Sequence, residues 1–355
     1  MSNSNTRPLW ETIPNAIRWF NYRYSLPKVW RSSCAIILGL KRVGTAEKSL
    51  VITGSISEDY ARVWLFFAQK ALDARQWNFV VVDSAGDMDA RKFQGCEVVR
   101  FVNLYHGQKI DILLRRLLRA KDVFLCDDDK YVQQDVTPFI ALLEDPQTLV
   151  VSLSPRFWWK FRIDGKEYLP MGSYGIILNS AKWLEHDLRL QSPAKLTSPY
   201  RIFMSDAKPQ TRYNTADYAN EQMLLQGYTV VTLPDSATLL GFDGLSAPRI
   251  LLIKYGKAYV KEALARAEHY RDGSINGAVL KAMYGIVKFE HLYRTIFQEE
   301  PRFVSGFSET ELSEVLENNT QLDSDQKTKA MTYFHDIDIV YQRLVDKVVS
   351  LDSGV

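Results

Sequence analysis

The stretch Val123-Phe-Leu-Cys-Asp-Asp-Asp-Lys-Tyr131 sets three consecutive carboxylates directly after a short apolar run. The run Val123 to Cys126 predicts a buried strand. Charge just beyond a buried strand marks the carboxyl edge of a sheet, where α/β proteins bind ligands. On an extended backbone side chains alternate, so Asp127 and Asp129 are expected to share a side while Asp128 points away. Two carboxylates on one side can grip a hard divalent cation, Mg²⁺ or Mn²⁺, which in turn grips phosphates. A plain acidic turn is the competing reading, since Asp is common where strands turn.

The elements that must position these carboxylates alternate along the chain. Ser49 to Thr53 predicts a strand ending at Gly54-Ser55, and Ser57 can cap a helix over Asp59 to Leu72. Trp77-Asn-Phe-Val-Val-Val-Asp83 is rich in apolar and β-branched residues and predicts a second strand. Val98 to Val102 follows as a third, Gln108 to Leu118 as a helix, and Val123 to Cys126 as the fourth strand. Strand and helix at this spacing predict a mostly parallel sheet with helices on both faces. Further on, Thr137 to Leu143 predicts a short helix, Leu149 to Leu153 a strand, Asp217 to Gln226 a helix and Tyr228 to Leu233 a strand. Gly172-Ser-Tyr-Gly175 is a glycine turn. Amphipathic runs around Ala258–Glu268, Asn276–Phe297 and Thr310–Val349 make the remainder mainly helical. The expected organisation is an arm over 1–46, a sheet domain over 47–250 and a helical region over 251–355.

Bulk properties narrow the classes. The 355 residues carry a formal net charge of +2, which gives no sign of a polyanion-binding surface and argues against nucleic acid as a partner. Cys34, Cys96 and Cys126 show no paired spacing and read as reduced thiols of a cytosolic protein. The polar start Met-Ser-Asn-Ser-Asn-Thr lacks the apolar core of a secretory signal. Trp10, Ile17, Trp19, Phe20, Tyr22, Tyr24 and Trp30 alternate with Arg18, Arg23, Lys28 and Arg31. That mixture suits either a helical arm packed on the body or a peripheral contact with the inner face of a membrane.

In order, these elements resemble the GT-A glycosyltransferases, most closely the broad family 2 type. Four stretches spanning roughly 48–235 carry the resemblance: Val80-Val-Val-Asp-Ser-Ala-Gly-Asp-Met-Asp89, Gly107-Gln-Lys109, Asp127-Asp-Asp129, and Asp217-Tyr-Ala-Asn-Glu-Gln-Met-Leu-Leu-Gln-Gly-Tyr228. The ordered set is specific; no single stretch is. Two positions depart from the family pattern. The expected Glu-Asp pair is Ala216-Asp217, and the Arg expected in that helix is Gln222.

The resemblance implies a Rossmann-like α/β fold and a metal-dependent hexosyltransferase. Its donor would be a nucleotide-diphosphate sugar, most simply a UDP-sugar, and its acceptor a hydroxyl of a glycan or glycolipid, as in polysaccharide biosynthesis. It implies Asp83 on the nucleobase, Lys109 on phosphate, Asp127 and Asp128 beside the nucleotide, Asp129 with Asp127 on the metal, and Gly172 and Ser173 against the donor sugar. An acceptor hydroxyl must lose a proton as it attacks, which a positioned carboxylate accomplishes. Asp217 and Glu221 share a helix face one turn apart, and either can fill that role. Both can also be ordinary helix-start carboxylates. Inversion at the anomeric carbon would follow. His269 is a further metal-ligand candidate. Trp158 and Trp159 could stack on an acceptor sugar or form a buried cluster, with Arg156 and Arg162 beside them. Competing readings are a metal-dependent nucleotidyltransferase, a phosphatase and a non-catalytic glycan-binding scaffold.

Overall fold

A computed structural model describes residues 26–154, 159–192, 198–203, 215–233, 238–242, 244–266, 273–320 and 322–352. The expectations placed on Arg156, Trp158, His269 and the arm before residue 26 lie outside these residues. The chain divides into two compact units, one of Leu26–Leu240 and one containing Gly241–Val355.

The first unit is built on a seven-stranded sheet. Its strands are β1 (Ser49–Ser55), β2 (Trp77–Asp83), β3 (Cys96–Arg100), β4 (Asp122–Leu125), β6 (Thr148–Ser152), β9 (Ile176–Asn179) and β11 (Thr229–Thr232), in the spatial order β11-β6-β9-β4-β1-β2-β3. Neighbours run parallel except around β9, which is antiparallel to both β4 and β6. The missing numbers belong to β5 (Lys130–Val132) and to a three-stranded sheet of β7 (Trp159–Ile163), β8 (Lys166–Tyr168) and β10 (Arg201–Phe203). The central strands read as continuous apolar runs because both faces are covered. Val80, Val81 and Val82 of β2 and Leu50, Val51 and Ile52 of β1 are all buried.

Chain order fixes where a ligand can enter. From β1 the chain moves outward to β2 and β3, then crosses back through the helix His106–Arg116 to lay β4 on the other side of β1. The crevice between β1 and β4 is therefore the topological switch point of the sheet. Ser57 caps the helix Glu58–Ala71, its side chain accepting from the Tyr60 amide at 3.4 Å.

Several boundaries differ from those expected. Residues 26–46 belong with the sheet, because the helix Leu26–Ile37 buries Val29, Ser33 and Ile36. Ser33 Oγ also accepts a hydrogen bond from the Val102 amide at 3.0 Å. Asp164 and Gly165 both have positive φ and join β7 to β8 as a tight hairpin. Such a turn follows from an Asp-Gly pair between strand residues.

The second unit is helical: Ser246–Tyr255, Lys257–Arg266, Gly273–Phe297, Glu309–Glu317 and Ser324–Asp352. The run expected to continue over Thr310–Val349 is broken after Glu317. There Asn319 turns its side chain back, accepting from the Leu322 amide at 3.1 Å and donating to the Leu264 carbonyl at 2.8 Å. The two longest helices pack along each other, with Tyr284 stacked on Phe334 at 4.1 Å. Lys288 sits between Glu309 and Asp338, at 2.7 and 2.8 Å.

Candidate functional site

Three strand ends meet at the switch point, and one lysine ties them together. Lys109 rises from the helix His106–Arg116 and is nearly buried. Its ammonium lies 3.3 Å from Ser84 Oγ, just past β2. Gly54, near the end of β1, lets it pass, for a Cβ there would sit 3.0 Å from Lys109 Nζ. Ile52, Thr53, Gly54, Leu125, Cys126, Asp127, His106, Lys109 and Ser173 line a pocket at this crevice.

The acidic stretch forms a turn. The Lys130 amide donates to the Asp127 carbonyl at 3.1 Å, so Asp128 and Asp129 occupy the two central positions. This corrects the extended geometry from which Asp127 and Asp129 were expected to share a side: the period-two rule applies to strands and lapses in a turn. The three carboxylates separate accordingly. Asp127 remains a third exposed, with Oδ1 at 3.6 Å from His106 Nε2. Asp128 is nearly buried and bonded to Ser55 Oγ, whose hydroxyl also receives the Ser57 amide at 3.0 Å. Burial, reinforced by the charge of Asp129, raises the Asp128 carboxyl well above the usual carboxylate range. Asp129 is 7% exposed, and its charge acts on Asp128 and on buried Tyr131.

The Gly172–Gly175 turn approaches from the antiparallel strand. Because β9 runs opposite to β4, its first residue and the turn before it lie at the carboxyl edge of the parallel strands. The Gly172 amide donates to the Ser154 carbonyl at 3.2 Å, where a Cβ would meet that oxygen at 2.7 Å. The Ser173 carbonyl lies 3.3 Å from His106 Nε2, and Lys130 sits 5.4 Å over the Tyr174 ring. His106 thus stands between the acidic turn and the glycine turn. It immediately precedes the Gly107-Gln-Lys109 stretch, and the sequence reading passed over it.

Asp83 ends β2 with no solvent exposure. Its carboxylate accepts amide hydrogens from Ala85, Gly86 and Met88 at 3.1, 2.6 and 3.2 Å. Arg100 Nε lies 3.7 Å away. Burial raises its carboxyl above the ordinary value, and the amides of Gly86 and Met88 oppose that shift. This carboxylate holds its own loop in shape.

The helix Asp217–Leu225 is docked on the site through Asn220. Asn220 accepts from the Met171 amide at 2.9 Å and donates to the Met171 carbonyl at 3.2 Å, one residue before Gly172. Ala216, just before the helix, adopts a left-handed conformation with φ 76°. Asp217 is fully buried, with Oδ2 at 2.6 Å from Arg201 Nη1. Glu221, half-buried, accepts from Ser198 Oγ at 2.5 Å. Trp159 is buried with Arg201 at 5.3 Å over its ring, so of its two readings the interior one holds. Arg162 is exposed and pairs with Glu167.

Among the described residues, no three His, Cys, Asp or Glu side chains converge as a metal cluster. The Asp127 carboxylate, open to solvent, suits a cation that draws its remaining ligands from phosphate and water, as Mg²⁺ does, and the His106 imidazole 3.6 Å away adds a nitrogen that suits a transition-metal ion such as Mn²⁺ better than Mg²⁺. The residues present fit such a cation.

No protein-family model matches the chain, and no curated protein matches it as a relative. Solved structures overlap with parts of the chain. An active-site mutant of LgtC aligns at 15% identity and a TM-score of 0.30, over 39% of this chain and 60% of that one. The bifunctional glycosyltransferase WbbM aligns at 12% and 0.27, over 41% of this chain and 33% of that one. A structure described as a glucose-1-phosphate thymidylyltransferase from Bacillus anthracis aligns at 10% and 0.34, over 59% and 95%. The chain thus spans less than two thirds of the length of LgtC and about a third of that of WbbM. Overlaps of this size bear on neither family nor activity.

Proposed function

We propose that the chain is a glycosyltransferase that moves a sugar from a nucleotide-diphosphate sugar, most simply a UDP-sugar, to a hydroxyl of a glycan or glycolipid. The observation that carries this reading is the meeting at the β1–β4 switch point of buried Lys109 with partly exposed Asp127 and His106, which line one small pocket. A buried ammonium beside a carboxylate and an imidazole at a strand edge suits a diphosphate that arrives with a divalent cation.

Asp127, with His106, would hold Mg²⁺ or Mn²⁺, and Asp129, nearly buried in the same turn, is the second carboxylate that the resemblance implies. When bound, such an ion offsets the negative charge that builds on a departing diphosphate. The remaining roles fall to the chain itself. Lys109 sets a fixed positive charge under the phosphates. Asp128 braces the turn against Ser55. Asp83 keeps the loop after β2 in the form that receives the nucleobase. Gly172 and Ser173 bring backbone close to the donor sugar. Asp217 is the proposed base for the acceptor hydroxyl, oriented by Arg201, with Glu221 as the other candidate. Catalytic hydrogen bonds are often long or poorly aligned until the substrate is bound. One displacement from the face opposite the leaving group inverts the anomeric carbon. The setting of this reaction would be cytoplasmic. No described helix is long and apolar enough to cross a membrane.

Calorimetric titration of UDP with and without Mn²⁺ tests the donor and metal together. Metal-dependent binding is expected; absent or metal-independent nucleotide binding overturns the reading. The nucleotidyltransferase alternative lacks support in the loop after β1, where Gly54-Ser-Ile-Ser57 carries no basic residue and its two serines bond to each other.

A further inference from the structure

The helix Leu26–Ile37 has two dissimilar faces, and the outer one is wrong for a helix facing water. Val29, Ser33 and Ile36 point inward and are buried. Trp30, one turn from Cys34, and then Ile37 and Leu38 follow helical spacing on the other side. Trp30 is 60% exposed, Ile37 48%, Leu38 69% and Leu40 78%. Gly39, with φ 72°, ends the helix, and the amides of Leu40 and Lys41 fold back onto the Ala35 carbonyl at 2.8 and 3.2 Å. The closing turn is therefore fixed by backbone hydrogen bonds, with Leu38 and Leu40 both exposed on it. Exposed apolar side chains are ordinary singly; a contiguous set on one element marks a contact surface.

Charge around this set is one-sided. No Asp or Glu lies between Glu11 and Glu47, while Arg18, Arg23, Lys28, Arg31, Lys41 and Arg42 all do. Lys28 and Arg31 are exposed; Lys41 and Arg42 are half-buried. Arg42 also reaches the Arg115 carbonyl at 3.3 Å, and Glu97 lies within electrostatic reach of Lys41. The whole chain is only +2, so the basic excess is local to this segment.

We infer that the outer face of Leu26–Leu40 docks on an anionic lipid surface, with Trp30, Ile37, Leu38 and Leu40 entering the interface and Lys28, Arg31 and Lys41 facing lipid headgroups. An apolar strip flanked by cations, with no acid in its own stretch of sequence, is the pattern of an element that lies in a membrane plane. A second copy of the chain fits worse, because a two-fold contact would oppose like cations across the seam. The inference stands independently of sugar transfer.

Flotation of the full chain with phosphatidylcholine vesicles, with and without phosphatidylglycerol, tests it. Binding is expected only to the anionic vesicles and should weaken as salt rises. Arg31→Ala should lower partitioning about fivefold, as loss of one surface cation does. Leu38→Glu with Leu40→Glu should abolish flotation while leaving the melting temperature and UDP binding unchanged, because both side chains are exposed. Failure of the wild-type chain to float, or undiminished flotation of the double variant, overturns the inference. So does a concentration-dependent dimer that the double variant loses, which would assign the face to self-association.

Discussion

His106 Nε2 lies 3.6 Å from Asp127 Oδ1 and 3.3 Å from the Ser173 carbonyl, joining a helix start, a strand end and a glycine turn at one point. Both side chains are about a third exposed, so the pair faces solvent where a ligand would enter. If the two share a divalent cation, each should matter only when the metal is present. His106→Asn should weaken UDP binding in Mn²⁺ by about 10–100-fold, as loss of a metal-site group does. Asp127→Asn should weaken it at least as much. With EDTA, wild type and both variants should bind equally poorly. Calorimetry that finds the His106→Asn affinity unchanged in Mn²⁺ removes His106 from the site.

Lys109 reads the phosphates in the proposed reaction, and its effect should follow phosphate charge. Lys109→Met keeps the stem that packs past Gly54 and removes the ammonium. A charged hydrogen bond contributes about 1.5–3 kcal/mol, so UDP affinity should fall roughly 10–100-fold. Uridine, lacking the diphosphate, should bind both proteins alike. Equal losses for uridine and UDP would mean that the lysine only holds Ser84 and the floor of the pocket.

Much of the sheet was legible because its strands are apolar and both faces are covered. Trp77–Asp83 was read with its observed bounds, and β1 with its Gly54-Ser55 end. The carboxylate geometry was not legible: an apolar run ending in Asp-Asp-Asp does not disclose whether the backbone stays extended or turns, and here it turns at Asp127. The antiparallel β9 has the same apolar content as its parallel neighbours, so composition could not reveal its direction. The Asp164-Gly165 hairpin did carry a signal, an Asp-Gly pair between strand residues, and it went unread. His106 had no local signal of its own; only the fold brings it to Asp127.

Asp83 turns its carboxylate onto its own loop. Its oxygens take amides from Ala85, Gly86 and Met88. Asp83→Asn would present an amide N–H group to backbone donors, and an unsatisfied buried pair costs about 1–3 kcal/mol. The melting temperature should fall by a few degrees, and the Kd for UDP and for uridine should rise together as the loop loosens. Unchanged stability with a selective loss of uracil recognition would instead mean that the carboxylate meets the base directly.

Gly172→Ala tests the close approach of the glycine turn. A Cβ there would stand 2.7 Å from the Ser154 backbone oxygen, which has little freedom to yield. Overpacking of this kind costs about 1–3 kcal/mol and would push the Ser173 segment out of place. A lower melting temperature and a raised donor KM are expected. A variant indistinguishable from wild type in both would show that the turn has slack and does not set the donor position.

Asp217 is the hardest residue to assign by rate alone, because it is buried against Arg201 at 2.6 Å. Asp217→Asn removes the charge facing the Arg201 guanidinium, and breaking a buried pair costs about 3–5 kcal/mol. A slow variant could therefore be a poorly folded one. Neutralising both partners removes that ambiguity, since replacing a whole buried pair is often close to neutral. Asp217→Asn with Arg201→Gln should recover most of the melting temperature lost by Asp217→Asn alone. If Asp217 is the base, kcat of the double variant stays down by about 10²–10⁴-fold while the donor Kd stays near wild type. Glu221→Gln is the companion variant, on the same helix face one turn later, where Glu221 accepts from Ser198 Oγ. Recovery of kcat together with stability in the double variant would make the Arg201 pair structural, and a Glu221→Gln enzyme that folds normally but turns over at the same reduced level would then carry the base role to Glu221.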